Sequence, residues 1–389
     1  MEKLIIYPDV FIWEKGNDVI IYNSRSFKSH VFKPAHPDLA ALCRLLNDPD
    51  NLYEIPIDRD CAGDAIDDFV EIVVSERFGD IVDRNAPTIS LPPLLNIQSQ
   101  MKKNYGEIEE DVMLEYFTDL TIYPGGGETD HPDYFRQTCF PISSRTQLPN
   151  GLIIDFLKRS KTPYLRNIKL VVSHVGGYLY ELIDFLESYG VNTVIYMSED
   201  DMSAILAVKN RINSPDKHVR LVRSGCAEPD GFYDGLEDFG FNFLIRSERE
   251  YEKYESDIER YGIHDFSFIP VYDNNPEFFE NNVFLTEDDI KSSRLSKRRI
   301  FMNQSVNSNF WGSFTLMPDG KIYSDVNKPA VGSLEDNIYT LIGREMRENH
   351  SWRYIRTHKP CSDCLYQWLC PSPSSYEIVI GRPNLCFVK

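Results

Sequence analysis

Apolar and polar positions alternate at short range near the start of the chain. VFIWEKGNDVIIYN (10–23) gives two β-rich runs joined by a turn containing Gly16-Asn17, the pattern of a hairpin, and FKSHVF (27–32) reads as a third strand. The period then lengthens. In PDLAALCRLLND, Leu39, Leu42, Cys43 and Leu46 fall on one helical face, and DAIDDFVEIVVSER repeats the signal with Ile66, Phe69, Val70 and Val73. Three strands followed by helices predict a small winged-helix-like domain over residues 1–83, with Cys43 in its core. Residues 84–115 hold prolines, little periodicity and an acidic end, and read as a linker.

From 116 to 299 strand and helix patterns take turns. TDLTIY, NIKLVVS, NTVIYM, HVRLVRS, FNFLIRS and FSFIPV are the expected strands, with amphipathic segments such as LYELIDFLESYG between them. Parallel neighbours need crossover connections of fixed hand, so six β/α units predict an α/β fold: a parallel sheet covered by helices, open or closed into a partial barrel. Ligands would sit at the C-terminal ends of the strands. In 300–389, FWGSFTLMPDGKIYSD reads as a hairpin turning at Pro318-Asp319-Gly320, and IYTLIGREMREN as a helix leading into a cysteine-rich tail.

The 389 residues are 42% apolar and 26% charged, an ordinary globular mixture. A formal charge of −19 argues against a nucleic-acid or anionic-membrane surface; the one basic run, KSSRLSKRR (291–299), reads as a solvated linker. Asp9 and Glu14 interrupt the N-terminal stretch before it could serve as a signal peptide, and no apolar run reaches membrane-spanning length. Eight cysteines are too dilute for a disulfide scaffold, so a reducing cytoplasm is expected.

Four of the eight crowd the tail: Cys361, Cys364, Cys370 and Cys386. The two-residue gap between the first pair lets both sulfurs converge, and four soft thiolates suit tetrahedral zinc or an iron–sulfur cluster. Unconnected thiols, or a Cys361–Cys364 disulfide, are the alternatives. Spacing alone does not choose between zinc and iron.

The run C-x2-C-x5-C with a distant last cysteine resembles the C-terminal SPASM domain of radical SAM peptide- and protein-modifying enzymes. MPDGKIYSD is similar to that family's DG-x-V-Y-P-C hairpin, and VGSLEDN to its glycine turn. The resemblance implies one auxiliary [4Fe–4S] cluster on Cys361, Cys364, Cys370 and Cys386, with zinc as the alternative. Places matching ligands of a second auxiliary cluster hold Asp325, Asn337 and Ser374, so that cluster should be absent.

The resemblance implies that 116–299 form a degenerate six-unit partial (β/α) barrel of radical SAM type and 300–389 a SPASM-like domain; a radical SAM enzyme also carries CxxxCxxC after its first barrel strand. The cysteines here stand at 43, 61, 139, 226, 361, 364, 370 and 386, and no two are four apart. TIYPGGGETDHPDYFRQTCFP follows the first strand instead; Gly125-Gly126-Gly127 could be an anion-binding nest or a tight loop replacing a lost cluster site, and no Gly-Lys-Ser/Thr follows to make a phosphate loop. Where the family places a Gly-Gly-Glu-Pro turn against the cofactor, this chain reads Gly176-Gly177-Tyr178-Leu179. No S-adenosylmethionine binding or cleavage is therefore expected. His131, Cys139, His174 and Cys226 read as unconnected residues rather than a replacement metal site.

Taken together, CSDCLYQWLCPSPSSYE, GRPNLC and the missing triplet resemble the pseudo-radical-SAM proteins of double-glycine (GG) Bacteroidales peptide natural-product systems. Those systems pair such a protein with a true radical SAM maturase and a short precursor peptide. The N-terminal strands and helices look like a RiPP recognition element, the module that holds leaders of ribosomally synthesised, post-translationally modified peptides. The resemblance puts the leader as an added strand along Ser29, His30, Val31, Phe32 and Lys33, against a helix bearing Ile66, Phe69, Val70 and Val73. The same residues could instead pack a small core. The expected function is a non-catalytic partner of a radical SAM peptide maturase, binding precursor peptide, maturase or both. The alternatives are an iron–sulfur redox enzyme acting alone and a zinc-stabilised scaffold.

Overall fold

The computed structural model describes residues 2–57, 63–89, 91–94, 113–127, 133–198, 202–215, 217–225, 236, 239–348 and 351–388. At its N-terminal end, β1 (Glu2–Ile6), β2 (Val10–Lys15), β3 (Asp18–Asn23), β4 (Ser29–Phe32), α1 (Pro37–Leu46), β5 (Glu54–Ile57), α2 (Asp64–Ser75) and β6 (Gly79–Asp83) follow one another. The expected hairpin and third strand form an antiparallel sheet in the order β2-β3-β4, with Trp13 opposite Ile20 and Ile21 opposite His30.

A second sheet, β5-β1-β6, departs from the strands-then-helices expectation. Its members are four or five residues long and pair across about fifty to eighty positions, as in Leu4 with Ile55 and with Ile81, so no local pattern announces them. Gly79 is required there, because a Cβ at that position would lie 2.1 Å from the carbonyl oxygen of Ile5.

Strands β2 and β3 are apolar on both faces, and each face is covered. Val10, Ile12, Val19 and Ile21 pack on Leu39, Cys43 and Leu46 of α1 and on Phe69, Val70 and Val73 of α2. Phe11, Trp13, Ile20 and Tyr22 turn the other way, onto Ile290, Ile300, Ile355, Leu365, Tyr366, Trp368 and Leu369 near the C-terminus. Tyr22 fastens this contact, its hydroxyl donating to Leu295 O (3.0 Å) and accepting from Leu295 N–H (2.8 Å).

The six strands expected in the middle are present as β7 (Asp119–Ile122), β10 (Asn167–Val172), β11 (Asn192–Ser198), β12 (Lys217–Ser224), β13 (Gly240–Ile245) and β14 (Phe266–Pro270), parallel neighbours in chain order. Among them lie the short β8 (Gly125–Gly127) and β9 (Ser144–Gln147), then helices α3 (Asn150–Arg159), α4 (Gly177–Tyr189), α5 (Met202–Lys209) and α6 (Glu248–Tyr261). Leu120, Ile122, Ile168, Leu170, Ile195 and Phe243 join Ile153, Phe156, Leu182, Leu186 and Tyr254 of the helices in one core. Three helices follow, α7 (Pro276–Asn282), α8 (Glu287–Ser292) and α9 (Lys297–Ser305).

The expected C-terminal hairpin exists as β15 (Ser313–Leu316) and β16 (Lys321–Tyr323), with β17 (Gly332–Ser333) beyond. It is not a separate sheet. β15 runs parallel to β7, Thr315 beside Thr121, and extends the central sheet to nine strands because Phe314 and Leu316 share the core of Leu120 and Ile122. The sheet's terminal strands, β14 and β17, are not paired with each other, so among the described residues it is open. After α10 (Ile338–Glu348) the tail is largely irregular apart from α11 (Ser375–Ile380). No described helix is long and apolar enough to cross a membrane.

Candidate cysteine centre and strand-edge groove

Cys361 and Cys364 open and close one tight turn, with Cys364 N–H donating to Cys361 O (3.1 Å), and Cys370 ends the next turn, bonded to Tyr366 O (3.1 Å). Cys386 arrives from farther along. Leu285 and Cys386 form a parallel bridge, with Leu285 N–H to Leu385 O and Phe387 N–H to Leu285 O both 3.0 Å, which ties the last residues back to the lobe. All four sulfur-bearing residues line one cavity of about 270 Å³, together with Leu285, Arg356, Lys359, Gln367 and Asn384. Cys361 and Cys370 are buried, Cys364 and Cys386 half-buried, and none is in a disulfide.

Among the described residues, no three His, Cys, Asp or Glu side chains are grouped closely enough for a single metal ion. A tetrahedral zinc, with Zn–S bonds of about 2.3 Å, would hold its sulfurs about 3.8 Å apart. Four thiols round one cavity are a donor set shared by zinc and iron–sulfur sites.

Two of the cavity's polar groups are aimed at sulfur. Arg356 is buried, donates to Glu377 Oε1 (2.9 Å), and holds Nη1 3.7 Å from Cys361 Sγ; Asn384 Nδ2 lies 3.0 Å from Cys386 Sγ. Burial works against the Arg356 charge, but Glu377, then Cys370 and Cys361, outweigh it. Burial pushes the Cys370 thiol up to about 12 against the pull of Arg356, and it also raises Cys364, opposed by the Tyr366 amide and by Lys33. Positive charge and N–H donors around four thiols suit an anionic thiolate-bound cluster.

A second feature lies on the other side of the sheet that packs on this lobe. Among the described residues β4 pairs with β3 alone, and its outer edge carries no strand. Asn23 N–H donates to Lys28 O (2.9 Å), and antiparallel alternation from that pair turns the His30 and Phe32 backbones toward β3 and those of Ser29 and Val31 outward. Beside this edge runs a groove of about 440 Å³, lined by His30, Phe32, Lys33 and Leu39 on one side and by Ala65, Asp68, Glu71 and Ile72 of α2 on the other.

No protein-family model matches the chain, and no curated protein does. Two solved structures of SuiB from Streptococcus suis are similar to it. SuiB bound to S-adenosylmethionine is 13% identical over 99% of this chain and 98% of that one, with a TM-score of 0.41. SuiB bound to its precursor peptide SuiA is 12% identical over 98% of each chain, with a TM-score of 0.42. Likeness at this level carries neither a residue's role nor an activity to the present chain.

Several expected site residues stand elsewhere than the sequence placed them. Phe69, Val70 and Val73 are core residues, fully buried against the strands, and Ile66 packs on the same core, so none of them lines the groove. The groove wall is the neighbouring stripe of α2. Val31 turns its side chain to the C-terminal lobe, whereas His30, Phe32 and Lys33 do reach the groove.

The positions matched to a second cluster have other tasks. Asn337 Oδ1 accepts from Thr340 N–H (2.8 Å) and starts α10, while Ser374 and Glu377 form a capping box on α11. Asp325 is buried, bonded through Oδ1 to Asn327, and burial raises its carboxyl.

The glycine run is likewise built into structure. Gly125 and Gly126 have φ of +78° and +89°, and a Cβ on Gly125 would lie 2.2 Å from Thr146 O in the paired β9. Tyr178 donates its hydroxyl toward Gly125 O (3.0 Å) and His174 O (3.1 Å), stitching the two loops together. Cys139 lies beneath them among Tyr123, Phe135 and Tyr196; His131 and Cys226 lie outside the described residues.

Proposed function

We propose that this chain is a non-catalytic adaptor in ribosomal peptide maturation, holding a precursor peptide as an added strand on β4 for a separate radical SAM maturase. The observation that carries the reading is the edge of β4, unpaired among the described residues, running beside a groove on α2. A strand edge offers sequence-independent backbone hydrogen bonds, and the flanking groove supplies register and selectivity. The absence of CxxxCxxC from the sequence supports a partner role, because the chain then has no set of thiols with which to cleave S-adenosylmethionine.

In this reading residues 1–83 hold peptide, 116–299 form a degenerate radical SAM-like unit joined through the 84–115 linker, and 300–389 form a SPASM-like lobe. Cys361, Cys364, Cys370 and Cys386 would hold one [4Fe–4S] cluster. Bound there, the cluster would supply a rigid cross-link and a one-electron couple. The chain's own part is to bring Cys386 back through the Leu285 bridge, to place Arg356 beside Cys361, and to keep Arg356 oriented with Glu377.

The test is binding and co-purification with a candidate precursor peptide and a radical SAM maturase from the same organism. Saturable peptide binding that Ser29→Pro abolishes is the expected result, since proline deletes one outward amide of β4 and leaves its bonds to β3 intact. A chain that binds neither peptide nor maturase, or that alone forms 5′-deoxyadenosine, would refute the adaptor.

A further inference from the structure

The charges along the groove specify its occupant further. We infer that the groove selects an extended peptide carrying lysine or arginine at alternate positions; this rests on the reading of β4 as the strand-addition edge.

Asp64, Asp68 and Glu71 fall at i, i+4 and i+7 of α2, one stripe of the helix, with Asp67 beside it. Glu76, just past the helix, is neutralised by Lys28. The other four acids are in no ion pair among the described residues. Asp68 and Glu71 line the groove directly and are exposed.

Lys33, the one Lys or Arg among the described residues lining the groove, does not balance the two carboxylates, and it also acts electrostatically on Glu287 and Cys364. The groove's unbalanced charge is therefore negative.

The groove is not wholly polar. Phe32, Leu39, Ala65 and Ile72 line it together with the acids. Lysine and arginine fit both demands, because their methylene stems lie along apolar surface while the charged head reaches a carboxylate. An added strand sends alternate side chains to the α2 side, spaced about 6.8 Å. Asp68 and Glu71 are about 4.5 Å apart along the helix axis, within the reach of two such heads. The intervening side chains of the peptide turn to the opposite face, where Val31 and Tyr366 lie. The recognised pattern is thus basic–any–basic, with apolar residues favoured between.

The experiment measures fluorescence polarisation of labelled peptides, alternating Lys-Val, Gln-Val or Glu-Val, against the full-length chain at two salt concentrations. The expected order is Lys-Val tightest, roughly tenfold over Gln-Val, with Glu-Val weakest and the advantage shrinking as salt rises. Asp68→Asn with Glu71→Gln should remove that advantage, while Glu252→Gln with Glu259→Gln on α6, the same change of net charge elsewhere, should not. Ser29→Pro or Val31→Pro should weaken every peptide. Equal binding of Lys-Val and Gln-Val, lost in Ser29→Pro, would overturn the charge rule and leave the adaptor standing. Lys-Val binding indifferent to both proline variants, or no binding by any peptide, would overturn both.

Discussion

The cysteine cavity and the mouth of the central sheet treat their polar groups in opposite ways. Around the cavity, Arg356 and Asn384 point N–H groups at thiols that surround about 270 Å³ of space. At the ends of β7 and β10, Tyr178 instead bonds to the carbonyls of Gly125 and His174 and ties the two loops together. Donors at the cavity sit beside thiols round open space, whereas the Tyr178 donor is used between loops.

Changes at the cavity should therefore be severe and changes at the mouth mild. The largest effect expected is on metal content. Reconstituted protein should carry about four irons and matching sulfide, and Cys370→Ser or Cys386→Ser should abolish stable loading, while Cys139→Ser leaves it intact. One zinc per chain and no sulfide would break the contrast by making the tail an ordinary knuckle.

Next comes Arg356→Ala. Removing one partner of a buried ion pair costs about 3–5 kcal/mol, and Arg356 and Glu377 side chains are only 9% and 7% exposed. Thermal melts should show a large drop, and an Arg356→Met, Glu377→Leu double variant should recover much of it without recovering normal loading.

A smaller effect concerns pH. The Cys370 thiol is pushed up to about 12 by burial. In the metal-free protein its contribution to stability is present below the unfolded thiol value of about 8.5 and is lost as pH climbs toward the folded one. Melts of metal-free protein should fall over that interval, less so in Cys370→Ala. Loading has to displace the same proton, so it should improve from pH 7 to 9. The smallest effect is Tyr178→Phe, worth about 1 kcal/mol with no change in iron content.

Much of this architecture was legible because its signals are local. Each of the six parallel strands is a run rich in β-branched and aromatic residues, and the amphipathic helices α4, α5 and α6 follow β10, β11 and β13. The helix expected between β12 and β13 lies outside the described residues, and the Gly16-Asn17 hairpin needs only its own turn. The β5-β1-β6 sheet was not legible, because strands as short as Glu54–Ile57 are stabilised by partners distant in sequence. β15 likewise looked like half of a hairpin, since nothing near Phe314 says that its second neighbour is β7. Spacing exposed the four cysteines but not Arg356, whose meaning depends on Glu377 twenty-one residues later. In α2 the apolar stripe alone fits both a peptide-facing surface and a small core. That stripe is the core, and the clue to the groove lay in Asp68 and Glu71 between the apolar residues.

The doubly apolar sheet has a practical consequence. Cutting the chain after residue 83 would strip Phe11, Trp13, Ile20 and Tyr22 from Leu365, Tyr366, Trp368 and Leu369, leaving a greasy scar on each fragment. Neither fragment should be soluble alone. Domain dissection would thus mislead, and single substitutions in the intact polypeptide are the sounder route.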